Sequence, residues 1–149
     1  MEIITKSAAE TKSFGTKVAL DLIKEKKNKL IICLTGDLGS GKTTFVQGFA
    51  EGLGITQRII SPTFILVKQY ELEDRAFLSD LYHVDLYRLE KDLEFEIKNL
   101  GITDIWEKRG SITVIEWAEK IKEIIPESAL WIYFDYLSEK QRRIEVKHK

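Results

Sequence analysis

Gly36-Asp37-Leu38-Gly39-Ser40-Gly41-Lys42-Thr43 sets two glycines five positions apart and follows the second with lysine and threonine. Such a set can cradle the phosphates of a nucleotide. Having no side chain at Gly39 and Gly41 lets the amides from Gly39 through Ser40 to Thr44 turn inward around phosphate oxygens, with the positive end of the following helix behind them. Lys42 places a cation between the terminal phosphates, and the Thr43 hydroxyl can ligate a magnesium ion. Thr44 can add a contact to the innermost phosphate. The other reading is a glycine-rich turn with a chance Lys-Thr. It is disfavoured because the apolar run Leu30 to Leu34 enters the loop and a helical pattern leaves it.

A magnesium nucleotide site also needs an acidic residue at the end of a neighbouring strand, and two residues qualify. Glu116 ends Ile112-Thr113-Val114-Ile115, where a carboxylate can hold the metal through water and polarise an attacking water. Asp85 ends Leu81-Tyr82-His83-Val84 in the same manner. Either could instead be a solvated strand terminus, and spacing alone does not rank them. His83 shares a strand face with Asp85 and could orient substrate or accept a proton, although a lone histidine is more often a structural hydrogen-bonding residue. Arg88 could supply positive charge to a transition state or lie on the surface in an ion pair. The sequence shows neither a Cys/His cluster for zinc nor a Ser-His-Asp set. A guanine site would be expected to carry Asn-Lys-x-Asp well after the phosphate loop. The Asn28-Lys29 pair precedes it, so adenine, and hence ATP, is favoured.

The surrounding elements must hold these groups in place. Ser7 with Glu10 three positions later reads as a capping box, and Phe14, Val18 and Leu22 predict a first helix ending near Asn28. Lys24, Lys26 and Lys27 at its tail suit a helix C-terminus better than a nucleic-acid patch. Leu30 to Leu34 predicts a strand buried on both faces. Phe45, Val46, Phe49 and Leu53 predict a helix stopped by Gly54, and Gly48 inside it predicts close packing against a neighbour. Ile59 to Tyr70, interrupted by Pro62, reads as an edge strand or a loop leading into one. Along Leu81 to Tyr87, Leu81, His83, Asp85 and Tyr87 face one way and Tyr82, Val84 and Leu86 the other. Leu93, Ile97 and Leu100 suggest a helix closed by Gly101. Trp117, Ile121, Ile124 and Ile125 suggest another that runs to Pro126. Ala129 to Tyr136 and Arg142 to Lys147 look like two strands joined by a polar turn at Leu137 to Gln141. The expected architecture is a P-loop-like α/β domain with a mainly parallel central sheet, flanking helices and an antiparallel strand pair towards the C-terminus.

A chain of 149 residues, 44% of them hydrophobic, suits one domain spanning 1–149. Its 23 basic and 24 acidic residues leave a formal net charge of -1, which provides no broad positive field for a polyanion. RNA, if involved, is expected to be held mainly by a partner. The single Cys33 lies in an apolar run and fits a reducing compartment. Glu2 and Glu10 do not suit a secretory leader, and no apolar run approaches a membrane span. A soluble, cytoplasmic protein without membrane contact is expected.

Six ordered blocks resemble the TsaE family, also called YjeE, small P-loop ATPases of bacterial tRNA threonylcarbamoyladenosine formation. They are Glu10-Thr11 with Phe14-Gly15, Leu34 to Thr44, Ser61-Pro62-Thr63-Phe64, Tyr82 to Leu89, Leu100-Gly101-Ile102 and Ile115-Glu116-Trp117. The resemblance implies that Thr11 lies near the base and sugar, that Lys42 and Thr43 hold phosphate and magnesium, and that Glu116 is the metal-side carboxylate. It makes Asp85 a second acidic residue of the site, Ser61 to Thr63 a loop sensing the terminal phosphate, and Trp117 a neighbour of Glu116, unless Trp117 is plain core. Gln141-Arg142-Arg143 follows the family's basic turn only loosely, so no base contact is carried over to Arg142 or Arg143. The family further implies docking on a heterodimer of TsaB and TsaD, where ATP hydrolysis resets the complex between turnovers.

The expected function is therefore magnesium-dependent ATP hydrolysis, slow alone and useful within a tRNA-modifying assembly, with tRNA met only through the complex. Lys42, Glu116 and Asp85 are the candidate catalytic residues. Two rivals stand beside it. A small-metabolite kinase would need an acceptor pocket and lid arginines, for which Arg58, Arg75, Arg88, Arg109, Arg142 and Arg143 are available. A nucleotide-loaded switch would need binding without hydrolysis.

Overall fold

The computed structural model describes residues 1–73 and 77–148; Arg75 lies outside the described residues. Chain order is β1 (Glu2–Thr5), α1 (Ala8–Lys24), β2 (Leu30–Thr35), α2 (Lys42–Gly52), β3 (Val67–Glu71), β4 (Asp80–Asp85), α3 (Leu93–Asn99), α4 (Ile102–Glu107), β5 (Ser111–Glu116), a 3₁₀ segment (Ala118–Ile124), β6 (Leu130–Tyr136) and β7 (Arg142–His148). The strands form one seven-stranded sheet in the order β1-β7-β6-β2-β5-β4-β3. Its centre, β6-β2-β5-β4, is parallel, while β7, β1 and β3 pair antiparallel at the two sides.

The expected C-terminal antiparallel pair is β6 and β7, and the segment after Pro62 leads into the edge strand β3. Two elements lie where sequence reading placed none. Residues 2–5 add β1 along β7, and α4 starts directly from Gly101, which stands at φ 76° as its N-cap. Two expected elements changed. The first helix ends at Lys24 rather than near Asn28, because the chain turns left-handed at Lys26 (φ 56°). Residues 118–124 form a 3₁₀ segment kinked at Ile121 instead of an α-helix starting at Trp117. The left-handed Trp117 (φ 62°) reorients the chain before the segment begins.

Alternation along the strands divides the core in two. Leu30, Ile32, Leu34, Leu81, Ile112 and Val114 face α1 and α2. Ile31, Cys33, Val84, Leu86 and Ile115 face the layer of α3, α4 and the 3₁₀ segment. On the first face, the ring of Phe45 lies 6.1 Å from Phe14, 6.1 Å from Phe49 and 5.6 Å from Phe134, tying α2 to both α1 and β6. Truncating such a buried ring costs about 3–5 kcal/mol, so the helix that begins at the glycine-rich loop is anchored firmly.

Gly48 packs closely, as its place in a helix predicted. A methyl group there would collide with the Lys12 carbonyl of α1, while Thr16 donates its hydroxyl to the Gly48 carbonyl at 2.9 Å. The far end of α2 closes with the amide of Ile55 bonded to Ala50 and that of Gly54 to Glu51, at 3.0 Å each, around a left-handed Gly54. Buried apolar contacts thus hold α2 along its length and leave its N-terminus at the carboxyl end of β2.

Candidate functional site

β2, β4 and β5 are parallel neighbours, so their carboxyl ends open on the same side of the sheet, where ligands of open α/β folds bind. Register sets Leu34 beside Glu116 and Glu116 beside Asp85. A cleft of about 320 Å³ lies there, lined among others by Gly39, Gly41, Lys42, Thr43 and Thr44 on one wall and Asp85, Glu116 and Trp117 on the other.

The loop has the backbone that its composition calls for. Gly39 (φ 76°) and Gly41 (φ 102°) are left-handed, and Gly41 immediately precedes α2. Lys42 is 5% exposed and turns back over the loop. It donates to the carbonyls of Gly36 and, at 2.9 Å, Asp37, and its Nζ sits 4.4 Å from the centre of the Trp117 ring. Burial pushes its ammonium below the ordinary lysine range, and the negative charge of Glu116 partly opposes this. An ammonium stripped of water and held on backbone carbonyls is poised to exchange them for the stronger acceptors of a phosphate.

The two carboxylates do different things. Glu116 is 3% exposed and accepts the Thr43 hydroxyl at 3.2 Å on Oε1 and 3.3 Å on Oε2, while Nε2 of the fully buried His83 lies 2.6 Å from Oε2. Thr43 and Glu116 thus offer two hard oxygen donors at one place, the chemistry magnesium requires beside phosphate. Asp85, also 3% exposed, is tied elsewhere. Its Oδ2 accepts the hydroxyls of Ser61 and Thr63 at 2.8 Å each, and its Oδ1 accepts the Tyr87 amide at 2.9 Å. Asp85 therefore tethers the segment 61–63 to the rim of the cleft.

Thr11 and Ser40 are buried behind the lining. Thr11 shares a 2.7 Å hydrogen bond with Thr5, and its methyl would lie 3.5 Å from a Cβ at Gly41. The Ser40 hydroxyl stands 3.5 Å from the Lys42 ammonium. Arg88 donates to the Phe64 carbonyl at 3.3 Å and lies over the Phe64 ring. Trp117 serves both expectations, lining the cleft and packing against the second core.

Lys120, which sequence reasoning passed over, and Arg142, weighed there only as a lid arginine and as a base contact not carried over, hold the loops around the cleft. Arg142, at the start of β7, stacks 4.4 Å from the Tyr136 ring and donates to the Gly39 carbonyl at 2.9 Å, bracing the glycine-rich loop where it lines the cleft. Lys120 caps the carbonyls of Leu86, Tyr87 and Leu89 at 3.1, 2.9 and 3.0 Å, locking the turn after Asp85 to the segment after Glu116. The sequence signal for each role was faint, since Arg142 is the first residue of an expected strand and Lys120 stands inside an expected helix.

A family model described as threonylcarbamoyl adenosine biosynthesis protein TsaE matches residues 5–144. Proteins described as tRNA threonylcarbamoyladenosine biosynthesis protein TsaE are similar along much of the chain. That of Haemophilus influenzae is 40% identical over 89% of this chain and 80% of its own length, and that of Treponema pallidum 36% identical over 98% and 99%. The Bacillus subtilis protein is 40% identical over 76% of this chain and 66% of its own length. The crystal structure of Bacillus subtilis YdiB superposes with a TM-score of 0.76 at 32% identity, over 99% of this chain and 84% of that one. With these sequence blocks in this sheet order, and a family match across nearly its full length, the chain belongs to the TsaE family.

Proposed function

We propose that this protein binds ATP with magnesium, hydrolyses the terminal phosphoanhydride slowly on its own, and serves the formation of threonylcarbamoyladenosine in tRNA from the cytoplasm. The observation that carries the reading is the meeting of Thr43, at the mouth of a glycine-rich loop, with the buried carboxylate of Glu116. The place in tRNA modification is supported by the names of the related proteins.

In this reading the amides from Gly39 to Thr44 bind the phosphates, and Lys42 leaves the carbonyls of Gly36 and Asp37 for the terminal phosphate oxygens. Thr43 and Glu116 hold the metal from the protein side. Magnesium, when bound, neutralises the charge that develops on the phosphoryl oxygens. Glu116 is also the carboxylate placed to polarise the attacking water, and Asp85 keeps Ser61 and Thr63 at the edge where the terminal phosphate would lie. The near-neutral charge of the chain fits an assembly in which TsaB-like and TsaD-like partners hold the tRNA.

Phosphate release with no acceptor added, measured with and without a TsaB-TsaD heterodimer, tests the reading. Slow release alone and faster release with the heterodimer is expected. Unchanged release without co-elution would remove the role in the assembly, and transfer seen only when an acceptor is added would favour a kinase.

A second reading, a switch that needs nucleotide but not hydrolysis, is favoured by the tether between Asp85 and the segment 61–63. A Glu116→Gln variant that binds ATP and partners and retains full activity in repeated turnover would select it.

A further inference from the structure

His83 is a buried polar group beside the site that the proposed chemistry does not use. Its imidazole is 0% exposed, and its Nδ1 finds no hydrogen-bond partner among the described residues. Leaving an N–H unpaired in the interior is costlier than leaving a bare ring nitrogen, so the proton belongs on Nε2, where it is donated to Glu116 Oε2 at 2.6 Å. Register pairs His83 with Val114 and Asp85 with Glu116, so the imidazole reaches the carboxylate diagonally, from deeper in the sheet. Glu116 is thereby held from behind by His83 and met in front by Thr43.

A glutamate has three rotatable side-chain bonds, and two carboxylates ending adjacent strands repel one another. Without a donor behind it, Glu116 would be free to swing away from Asp85 and from Thr43. Asp85 is already fixed by Ser61, Thr63 and the Tyr87 amide, which leaves Glu116 as the partner that needs restraint. We propose that His83 is a positioning residue for the magnesium site, holding Glu116 in the orientation that faces Thr43. The proposal rests on the magnesium nucleotide reading above. Hydrogen-bonding partners behind a metal-side ligand typically contribute 10–100-fold to metal affinity or activity.

ATP affinity is to be measured by calorimetry in magnesium and in chelator for the wild type, His83→Phe and His83→Gln, with thermal midpoints alongside. Phenylalanine fills the space without a donor, whereas glutamine keeps an amide N–H at comparable reach. In chelator, all three are expected to bind within about twofold of one another. In magnesium, His83→Phe is expected to lose roughly 10–100-fold of the metal-dependent gain and His83→Gln to recover most of it. In a Glu116→Gln background, His83→Phe should add less than about a twofold effect, since it acts through that carboxylate. Should the phenylalanine variant not fold, His83→Asn, whose shorter amide falls short of Glu116, takes its place. An intact metal-dependent gain in His83→Phe, an equal loss with and without magnesium, or a glutamine variant no better than phenylalanine overturns the proposal. A wild type with no metal-dependent gain overturns both this inference and the reading on which it rests.

Discussion

Thr43, in the first turn of α2, hydrogen-bonds both carboxylate oxygens of Glu116, the last residue of β5, at 3.2 and 3.3 Å across 73 positions of sequence. The pairing of β2 with β5 creates this contact, because Leu34, just before the glycine-rich loop, lies in register with Glu116. Removing the hydroxyl with Thr43→Val should weaken ATP binding in magnesium about tenfold or more, the worth of a hydrogen bond to a charged group, and leave binding in chelator nearly unchanged. Calorimetry in the two buffers reads the difference directly.

Asp85 holds Ser61 and Thr63 through one carboxylate oxygen. Asp85→Ala should free that segment and cost about 1.5–3 kcal/mol in urea unfolding. Amides at positions 61–66 should exchange faster with deuterium, whereas those of β2 should not. Unchanged exchange at 61–66 would show that the tether is not what orders the segment.

Gly48 gives α1 and α2 their close approach, with the Lys12 carbonyl where a methyl group would go. Gly48→Ala should therefore cost about 1–3 kcal/mol, despite the better helix propensity of alanine, and lower the thermal midpoint by roughly 2–12 °C. A stabilised variant would mean that the helices part easily.

The glycine-rich loop was legible because a backbone that turns left-handed at two positions so close together calls for glycine at Gly39 and Gly41. The central strands were legible because both faces are buried, which leaves an uninterrupted apolar run at Leu30 to Leu34. The roles of Asp85 and Glu116 were not, since both end similar strands. What separates them is which hydroxyl each meets, Ser61 and Thr63 in one case and Thr43 in the other, and that depends on the packing of distant elements. Lys120 escaped notice, and the bracing role of Arg142 went unread, for the same reason, because each acts on carbonyls contributed by another part of the chain. β1 is only four residues long and α4 six, too short for periodicity to speak.

Arg142 braces the loop through the Gly39 carbonyl rather than through the reacting groups. Arg142→Ala is expected to weaken ATP binding about threefold to tenfold, in keeping with a charge-assisted hydrogen bond partly open to water. Single-turnover hydrolysis at saturating ATP should change less than binding does. A greater loss in the rate than in affinity would place Arg142 among the residues acting on the phosphoryl group.

In the proposed function Lys42 and the loop around it enclose a triphosphate, and titration of ATP with magnesium into wild type and Lys42→Ala tests this most directly. The wild type should bind one ATP per chain, and the variant at least about tenfold more weakly, as the loss of a charged donor to phosphate requires. Equal affinity in the two proteins would contradict the account.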